Sequence, residues 1–358
     1  MLALARTGTP PKPPTTPTTR PLVWAFVWAF VWALAAGLLV GASGCAATPA
    51  QGPVQTSPWP TPFGQGLRLR SAHYELYTTV ADRSLAEAMP AFLEAALDRH
   101  RRVAGSRLGR PALPAPPRPM VVFLFADRAQ WASFTQASVD PSAGPLLAIE
   151  VGGYAVGGRA VFFALPQNDR LLTLRIAAHE GWHQYVQRAF VQRPPIWADE
   201  LLAVLAEGVS IDPQGRVRFD PADNPQRREH LAQVLAEDRW RSLPELLTLN
   251  PADLLAQDPS LAVDYYAQLW ALGLHLREQP DLWAGVQALL RDAAFGRLPR
   301  SDARAANPSA PAGDAAGVQA FTAYVHADLD GLERAYLELA RALAGEASAA
   351  GRSGSTPR

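Results

Sequence analysis

The sequence predicts an α+β fold, in which a small mixed β-sheet in the N-terminal half is followed by a mostly helical half. Two observations carry this prediction. Between residues 67 and 163, short apolar or alternating segments are separated by glycine-rich and proline-rich stretches, which is typical of strands. From residue 168 onward the pattern is mostly helical, with one interruption near 209–219 that indicates a small hairpin.

The elements of the first half follow in order. Residues 67–79 alternate apolar and polar side chains and are predicted to form a strand. A helix is expected over 84–104, with Ser84 as N-cap and Glu87 completing a capping box. A buried strand begins at Met120, and a short helix begins at Asp127. We expect two more strands around glycine-rich turns within 146–163.

Composition limits the classes of partner. The chain has 358 residues with 33 basic and 33 acidic side chains, so its charge gives no support for nucleic acid as a partner. Apolar residues make up 48%, enough for a core in one large domain or two modest ones. The single cysteine, Cys45, can form no intramolecular disulfide and no cysteine-based zinc site.

Residues 1–44 have the pattern of an export signal: a lightly basic lead, an apolar stretch over 22–41 and then small residues. The ending Ala42-Ser43-Gly44-Cys45 resembles a bacterial lipobox, which implies lipidation of Cys45 and attachment to the membrane. An uncleaved anchor and an ordinary cleaved signal are the alternatives. All three predict export, and Ala46 after the cysteine implies a cell-envelope lipoprotein at the outer membrane or its periplasmic face.

The remaining chain divides by composition into a linker, a main domain and a C-terminal part. The predicted bounds are 45–66 for a Pro/Gly/Ser/Thr linker, 67–299 for the folded domain, 300–317 for a second linker, 318–346 for a helical segment and 347–358 for a disordered tail.

The helix expected over about 169–191 carries the pattern His-Glu-x-x-His. Its predicted inward stripe, spaced alternately by four and three residues, is Leu172, Ile176, His179, His183, Val186 and Phe190. Side chains at i and i+4 are neighbours, so two imidazoles can bind one metal ion. Glu180 is turned by about 100° from His179, which suits a base beside a metal-bound water. As ordinary core residues, the two histidines would leave buried polar atoms unsatisfied.

A catalytic zinc ion needs a third protein ligand and an open position. The segment 194–208 offers three carboxylates: Asp199, Glu200 and Glu207. Glu200 follows His183 by seventeen residues, enough for a turn and an antiparallel helix, and it is the favoured ligand. Glu207 and Asp199 remain alternatives, and a carboxylate that is not a ligand would suit the second nitrogen of a ligand histidine.

The segment HEGWH at 179–183, followed by PPIWADELLAVLAEG at 194–208, resembles the gluzincin metallopeptidases of the thermolysin-like clan, and most closely an uncharacterised branch found in bacterial secreted proteins. The second helix matches at Pro195, Trp197, Glu200, Leu202, Ala203 and Glu207. It departs from that pattern at Ala198 and Leu201, and a shifted register would put Glu207 in the ligand position. Tyr266 to Leu272 match a later helix, and the resemblance covers roughly 67–290.

The resemblance implies a zincin-like fold and a zinc metallopeptidase acting on a peptide or protein substrate. Carried over, His179, His183 and Glu200 bind Zn²⁺, and Glu180 activates water. Tyr266, or alternatively Tyr265, is expected to stabilise the oxyanion. Separately from the resemblance, an edge strand within 146–163 is a candidate for pairing with an extended peptide, and its glycines fit an ordinary hairpin equally well. The alternatives are a non-catalytic envelope lipoprotein that keeps the fold as a binding or scaffold module, and a metal-dependent hydrolase with a non-peptide substrate.

Overall fold

The computed structural model describes most of the chain after its N-terminal segment. The described residues are 53–105, 111–138, 141–165, 169–212, 214–299 and 314–353. The predicted signal peptide, Cys45, the first part of the predicted linker at 45–66 and residues 300–313 of the second linker lie outside them. Within the described ranges, no helix combines the length and the apolar character needed to cross a bilayer.

A mixed six-stranded sheet forms the first half, which confirms the α+β prediction. In chain order its strands are β1 (Gln55–Thr61), β2 (Gly64–Arg70), β3 (Tyr74–Thr78), β4 (Met120–Phe125), β5 (Gly153–Val156) and β6 (Arg159–Phe163). Across the sheet the order is β1-β2-β3-β4-β6-β5. The three central strands β3, β4 and β6 are parallel, and the other neighbours are antiparallel. Strand β5 therefore lies at one edge.

Helices dominate the second half. In chain order the helices are α1 (Arg83–Arg102), α2 (Arg128–Ser138), α3 (Arg170–Ala189), α4 (Ile196–Ala206), α5 (Pro225–Ala236), α6 (Leu243–Leu246), α7 (Pro251–Gln257), α8 (Pro259–Glu278), α9 (Pro280–Ala294), α10 (Asp314–Tyr324) and α11 (Leu329–Ser353). A 3₁₀ helix over Pro141–Ala148 precedes β5. The predicted hairpin near 209–219 is confirmed as β7 (Val209–Ile211) and β8 (Val217–Phe219).

The predicted linker 45–66 is wrong from residue 55 onward, because β1 and the start of β2 occupy that range. Because proline has no backbone N–H to donate to a neighbouring strand, the proline-rich composition predicts a spacer. An edge strand tolerates proline, and β1 is an edge strand that contains Pro58 and Pro60. Trp59 fixes the strand on the sheet through contacts with Tyr77 and Phe123, at ring-centroid distances of 5.1 and 5.9 Å.

Two further boundaries differ from prediction in the first half. The single strand expected over 67–79 is two antiparallel strands, with a turn at 71–73 in which the Ser71 N–H donates to the Tyr74 carbonyl at 2.9 Å. Helix α1 is capped by Asp82 rather than Ser84, since the Asp82 carboxylate accepts from the backbone N–H groups of Ser84 and Leu85. A charged oxygen satisfies both free donors, which makes it a strong cap.

The C-terminal segment is part of the main fold rather than a separate element beyond a linker. Helix α10 begins at Asp314, inside the predicted linker, and α11 extends past residue 347, where a tail was expected. The Trp197 indole donates to the Gly317 carbonyl at 3.0 Å and packs on Phe321. The Tyr336 hydroxyl donates to the backbone of α8. These contacts complete the core of the helical half.

Helix α3 packs against strands β5 and β6 of the sheet and against helices α1 and α4. Its N-cap is Asp169, whose carboxylate accepts from the Leu172 N–H at 2.9 Å. Most of its circumference is buried, including Ala177, Ala178 and Trp182, whereas His179 and His183 retain partial exposure. Of the predicted inward stripe, Ile176 and Val186 are buried, whereas Leu172, Phe190 and the two histidines are partly exposed, so the side of the helix that carries the histidines is the more open one.

Candidate metal centre

Helices α3 and α4 bring three predicted ligands together. Nε2 of His179 and Nε2 of His183 are 3.3 Å apart, and Oε2 of Glu200 lies 3.8 and 3.4 Å from them, respectively. Ligand atoms bound tetrahedrally at about 2.0–2.2 Å from a zinc ion are separated by roughly 3.3–3.6 Å. The three atoms are thus already near the separations that one tetrahedral ion requires.

The two alternative carboxylates lie on the other side of the histidine rings. Oε1 of Glu207 is 2.8 Å from Nδ1 of His179, and Oδ1 of Asp199 is 3.3 Å from Nδ1 of His183. Asp199 also accepts a hydrogen bond of 2.8 Å from the Trp182 indole. Carboxylates at Nδ1 favour the tautomer in which Nδ1 carries the proton and Nε2 presents its lone pair. Glu207 and Asp199 therefore orient the histidines, and Glu200 faces both Nε2 atoms.

Glu200 supplies a direct indication that the site suits a cation. Its Oε2 is buried and has no hydrogen-bond partner among the described residues. When Nε2 of both histidines is unprotonated, three acceptor atoms converge on one point without a donor, which is unfavourable at low exposure unless His183 takes up a proton or a cation binds. A metal ion there satisfies all three, and two imidazoles with one carboxylate are a donor set that catalytic zinc sites use. The residues present fit zinc.

The electrostatics of His183 agree with this geometry. Burial lowers the pKa of His183, but the nearby carboxylates of Glu200 and Asp199 outweigh burial and set it well above the usual value. Without a metal ion, the pair of acids favours a proton on this ring. Because a ligand imidazole must be neutral, metal binding at this site would release that proton.

Glu180 lies between the two histidines in the sequence and packs against the edge strand. A Cβ added to Gly153 of β5 would lie 3.2 Å from Cγ of Glu180, so the strand approaches this side chain closely. Burial raises the pKa of Glu180; the charges of His179 and His183 oppose the increase, and the net direction is upward. A carboxylate with a raised pKa is better suited to accept and return a proton near neutrality.

Glu207 is held by residues that the sequence did not single out. Arg227 donates two hydrogen bonds to its carboxylate, at 2.7 and 2.8 Å, and the Asn224 amide donates a third at 2.9 Å. Burial alone would raise the pKa of Glu207, but the charge of Arg227 and the hydrogen bonds from His179 and Arg227 hold it far below its usual value. The Asn224-Pro225 pair signals a helix start, yet nothing in its spacing connects it to His179.

The two predicted tyrosines occupy different environments. Tyr266 borders the site: its ring is edge-on to His179, with centroids 5.8 Å apart, and the Arg227 guanidinium lies 5.1 Å from its centroid. Tyr265 is completely buried, and its hydroxyl has no partner among the described residues. Burial raises the pKa of both well above the ordinary value, so both hydroxyls keep their protons. Of the two, Tyr266 is the one in contact with a predicted ligand.

Comparison with known proteins adds no relative to this picture. A scan of protein-family models finds no match, and a search of curated proteins finds no significant match.

Proposed function

We propose that the chain is a zinc-dependent peptidase that is exported and held at the cell envelope by a lipidated Cys45. The observation that carries the enzymatic part is the convergence of His179, His183 and Glu200, with a partnerless Glu200 oxygen at the point of convergence. These are the residues that the gluzincin resemblance implies as zinc ligands, and their convergence supports the proposal.

The proposed reaction is hydrolysis of a peptide bond. A bound zinc ion would supply Lewis acidity, lowering the pKa of a water toward about 7 and polarising the scissile carbonyl. Glu180 takes the proton of the attacking water and delivers it to the leaving amine, a transfer for which its raised pKa is suited. The protonated hydroxyl of Tyr266 is the proposed donor to the developing oxyanion.

Strand β5 is the proposed docking edge for the substrate. Among the described residues it pairs only with β6, and apart from the Ala155 carbonyl, which accepts from the Gln187 amide at 2.6 Å, its outer backbone groups can form a ladder with an extended peptide. Gly153 lies on this strand against Glu180, which puts a docked backbone beside the proposed base. Val151, two residues before the strand, and Val156, at its end, are 61% and 47% exposed and offer apolar contact for substrate side chains.

The test is cleavage of a quenched fluorescent peptide library by the zinc-loaded protein, with Glu180→Gln as the variant. We expect both proteins to bind one zinc ion per chain and only the wild type to cleave. An exposed acid that lies away from the site, in Glu229→Gln, is the matched control and should cleave as wild type does. Equal cleavage by Glu180→Gln would refute the mechanism, and no cleavage by any zinc-loaded form would favour a binding or scaffold role.

A further inference from the structure

Arg227, in the first turn of α5, lies against two parts of the metal centre at once. Its Nε and Nη2 donate side by side to the two carboxylate oxygens of Glu207, at 2.8 and 2.7 Å. The central carbon of the same guanidinium lies over the Tyr266 ring, 5.1 Å from its centroid. A guanidinium is flat, so its edge can pair with a carboxylate while its face packs on a ring. One side chain therefore joins Glu207 and Tyr266.

The start of α5 fixes the position of Arg227. The Asn224 side chain caps the helix by accepting from the Arg227 N–H at 3.3 Å, and its amide donates to Oε2 of Glu207 at 2.9 Å. The side chains of Arg227 and Glu207 are only 17% and 10% exposed, so water weakens their pairing little. The guanidinium is therefore held in place beside Tyr266 by a bidentate, mostly buried contact.

The Tyr266 hydroxyl has no comparable support. Among the described residues none forms a hydrogen bond with it, so its direction is set by the packing of the ring. The ring meets His179 edge-on at 5.8 Å between centroids, and the Tyr265 ring lies 5.6 Å away. Arg227 lies over the face of the ring, where a cation is attracted to it. A hydroxyl that is to donate to an oxyanion must remain free in this way, and its ring must then be aligned by its neighbours.

We propose that Arg227 is a positioning residue, which holds Tyr266 in the orientation from which its hydroxyl donates to the oxyanion. The inference rests on the proposed peptidase function and adds to it a shared support for two parts of the site. Oε1 of Glu207 is 2.8 Å from Nδ1 of His179, so the same guanidinium steadies a predicted zinc ligand and the proposed oxyanion donor. Lysine keeps the charge but has no flat face and no paired donors, so it cannot replace arginine here.

The test is a double-mutant cycle in peptide cleavage, with every protein saturated with zinc and its zinc content measured. Tyr266→Phe should lower kcat by about 100-fold or more, as loss of an oxyanion donor does. Arg227→Lys should lower kcat by about tenfold or more with little change in KM, because a displaced donor weakens only the transition state. In the Tyr266→Phe background, Arg227→Lys should have little further effect on kcat, since the group that it positions is gone.

Arg68→Lys is the matched control. Arg68 also pairs with a glutamate, Glu75, and lies over a tyrosine ring, 5.9 Å from the centroid of Tyr77. It belongs to β2, and three strands separate β2 from β5. This variant should therefore keep the wild-type kcat and KM.

A second variant covers the case in which Arg227→Lys fails to fold. Glu207→Gln/Arg227→Met removes both partners of the buried pair, a change that is often nearly neutral for stability. At saturating zinc, adding Tyr266→Phe to it should lower kcat little, since Tyr266 has already lost its support.

A crystal structure of zinc-loaded Arg227→Lys gives a readout that does not depend on cleavage, and we expect the Tyr266 ring to turn from its edge-on contact with His179. An unchanged ring, or equal losses of kcat with and without the Tyr266 hydroxyl, would overturn the positioning role. A rise in KM at unchanged kcat would also overturn it, because Arg227 would then bind substrate directly. If the zinc-loaded wild type cleaves nothing, the peptidase proposal fails instead, and the ring orientation still decides whether Arg227 holds Tyr266.

Discussion

Glu207→Gln is expected to weaken zinc binding and to destabilise the fold through two separable effects. Glutamine keeps the size of the side chain and an oxygen for Nδ1 of His179, but it removes the charge that orients and polarises that ring. Changes of this kind beside a metal ligand cost about 10–100-fold in metal affinity. That range corresponds to roughly 1.4–2.8 kcal/mol of binding free energy.

The effect on folding comes from Arg227. Its side chain is 17% exposed and that of Glu207 is 10% exposed, so the variant leaves a largely buried guanidinium without its carboxylate. Breaking such a pair on one side costs about 3–5 kcal/mol, whereas replacing both partners is often nearly neutral. The double variant Glu207→Gln/Arg227→Met should therefore recover most of the lost stability without recovering zinc affinity.

Zinc affinity would be measured by competition with a chromophoric chelator, and stability by urea denaturation of the metal-free proteins. Glu229→Gln, an exposed acid on the same helix as Arg227, is the control and should match the wild type in both. Wild-type zinc affinity in Glu207→Gln would refute the idea that Glu207 supports the metal centre. An equally unstable double variant would refute the account of the buried ion pair.

Two further predictions concern His100 and Gly153. Burial lowers the pKa of His100 to about 3 in the folded protein, against about 6.5 when unfolded, so its neutral form contributes stability above pH 6.5 that is lost toward pH 3, at about 1.4 kcal/mol per pH unit. In denaturation series at different pH, His100→Phe should therefore lose stability less steeply than the wild type below pH 6.5, and parallel curves would contradict this. Gly153→Ala puts a Cβ 2.7 Å from Cβ of Phe162 and 3.2 Å from Cγ of Glu180, and small displacements of a catalytic group are costly, so peptide cleavage should fall by about tenfold or more at unchanged zinc content. Gly144→Ala, where a Cβ meets nothing within 4 Å, is the control, and equal cleavage rates in the two variants would argue against β5 as the docking edge.

The parts of the site that depend on the periodicity of one helix could be predicted from the sequence. The helix over Arg170–Ala189 is confirmed, and the shared face of His179 and His183 depends only on helical geometry. The proximity of Glu200 followed from the short reversal between α3 and α4. The predicted role for a remaining carboxylate also agrees with the geometry, since Glu207 and Asp199 both lie at Nδ1 atoms.

The features that could not be predicted from the sequence depend on contacts between segments that are distant in the chain. Asn224 and Arg227 reach Glu207 from seventeen and twenty residues further along the chain, and only tertiary packing connects them. Strand β1 looked like a spacer because its prolines are acceptable only at the edge of a sheet, and an edge is a property of the assembled sheet. Trp197 likewise packs on Phe321, which follows a proline-rich stretch in the sequence. Composition alone therefore predicted a separate C-terminal segment, although that segment packs against the main domain.

The most direct test is the location and number of metal ions in crystals of the purified protein, from anomalous scattering at the zinc edge. The account predicts one zinc ion per chain, at about 2.0–2.2 Å from Nε2 of His179, Nε2 of His183 and a carboxylate oxygen of Glu200. It also predicts loss of that ion in Glu200→Ala. A protein that binds no zinc, or that binds it through Glu207 instead of Glu200, would contradict the account.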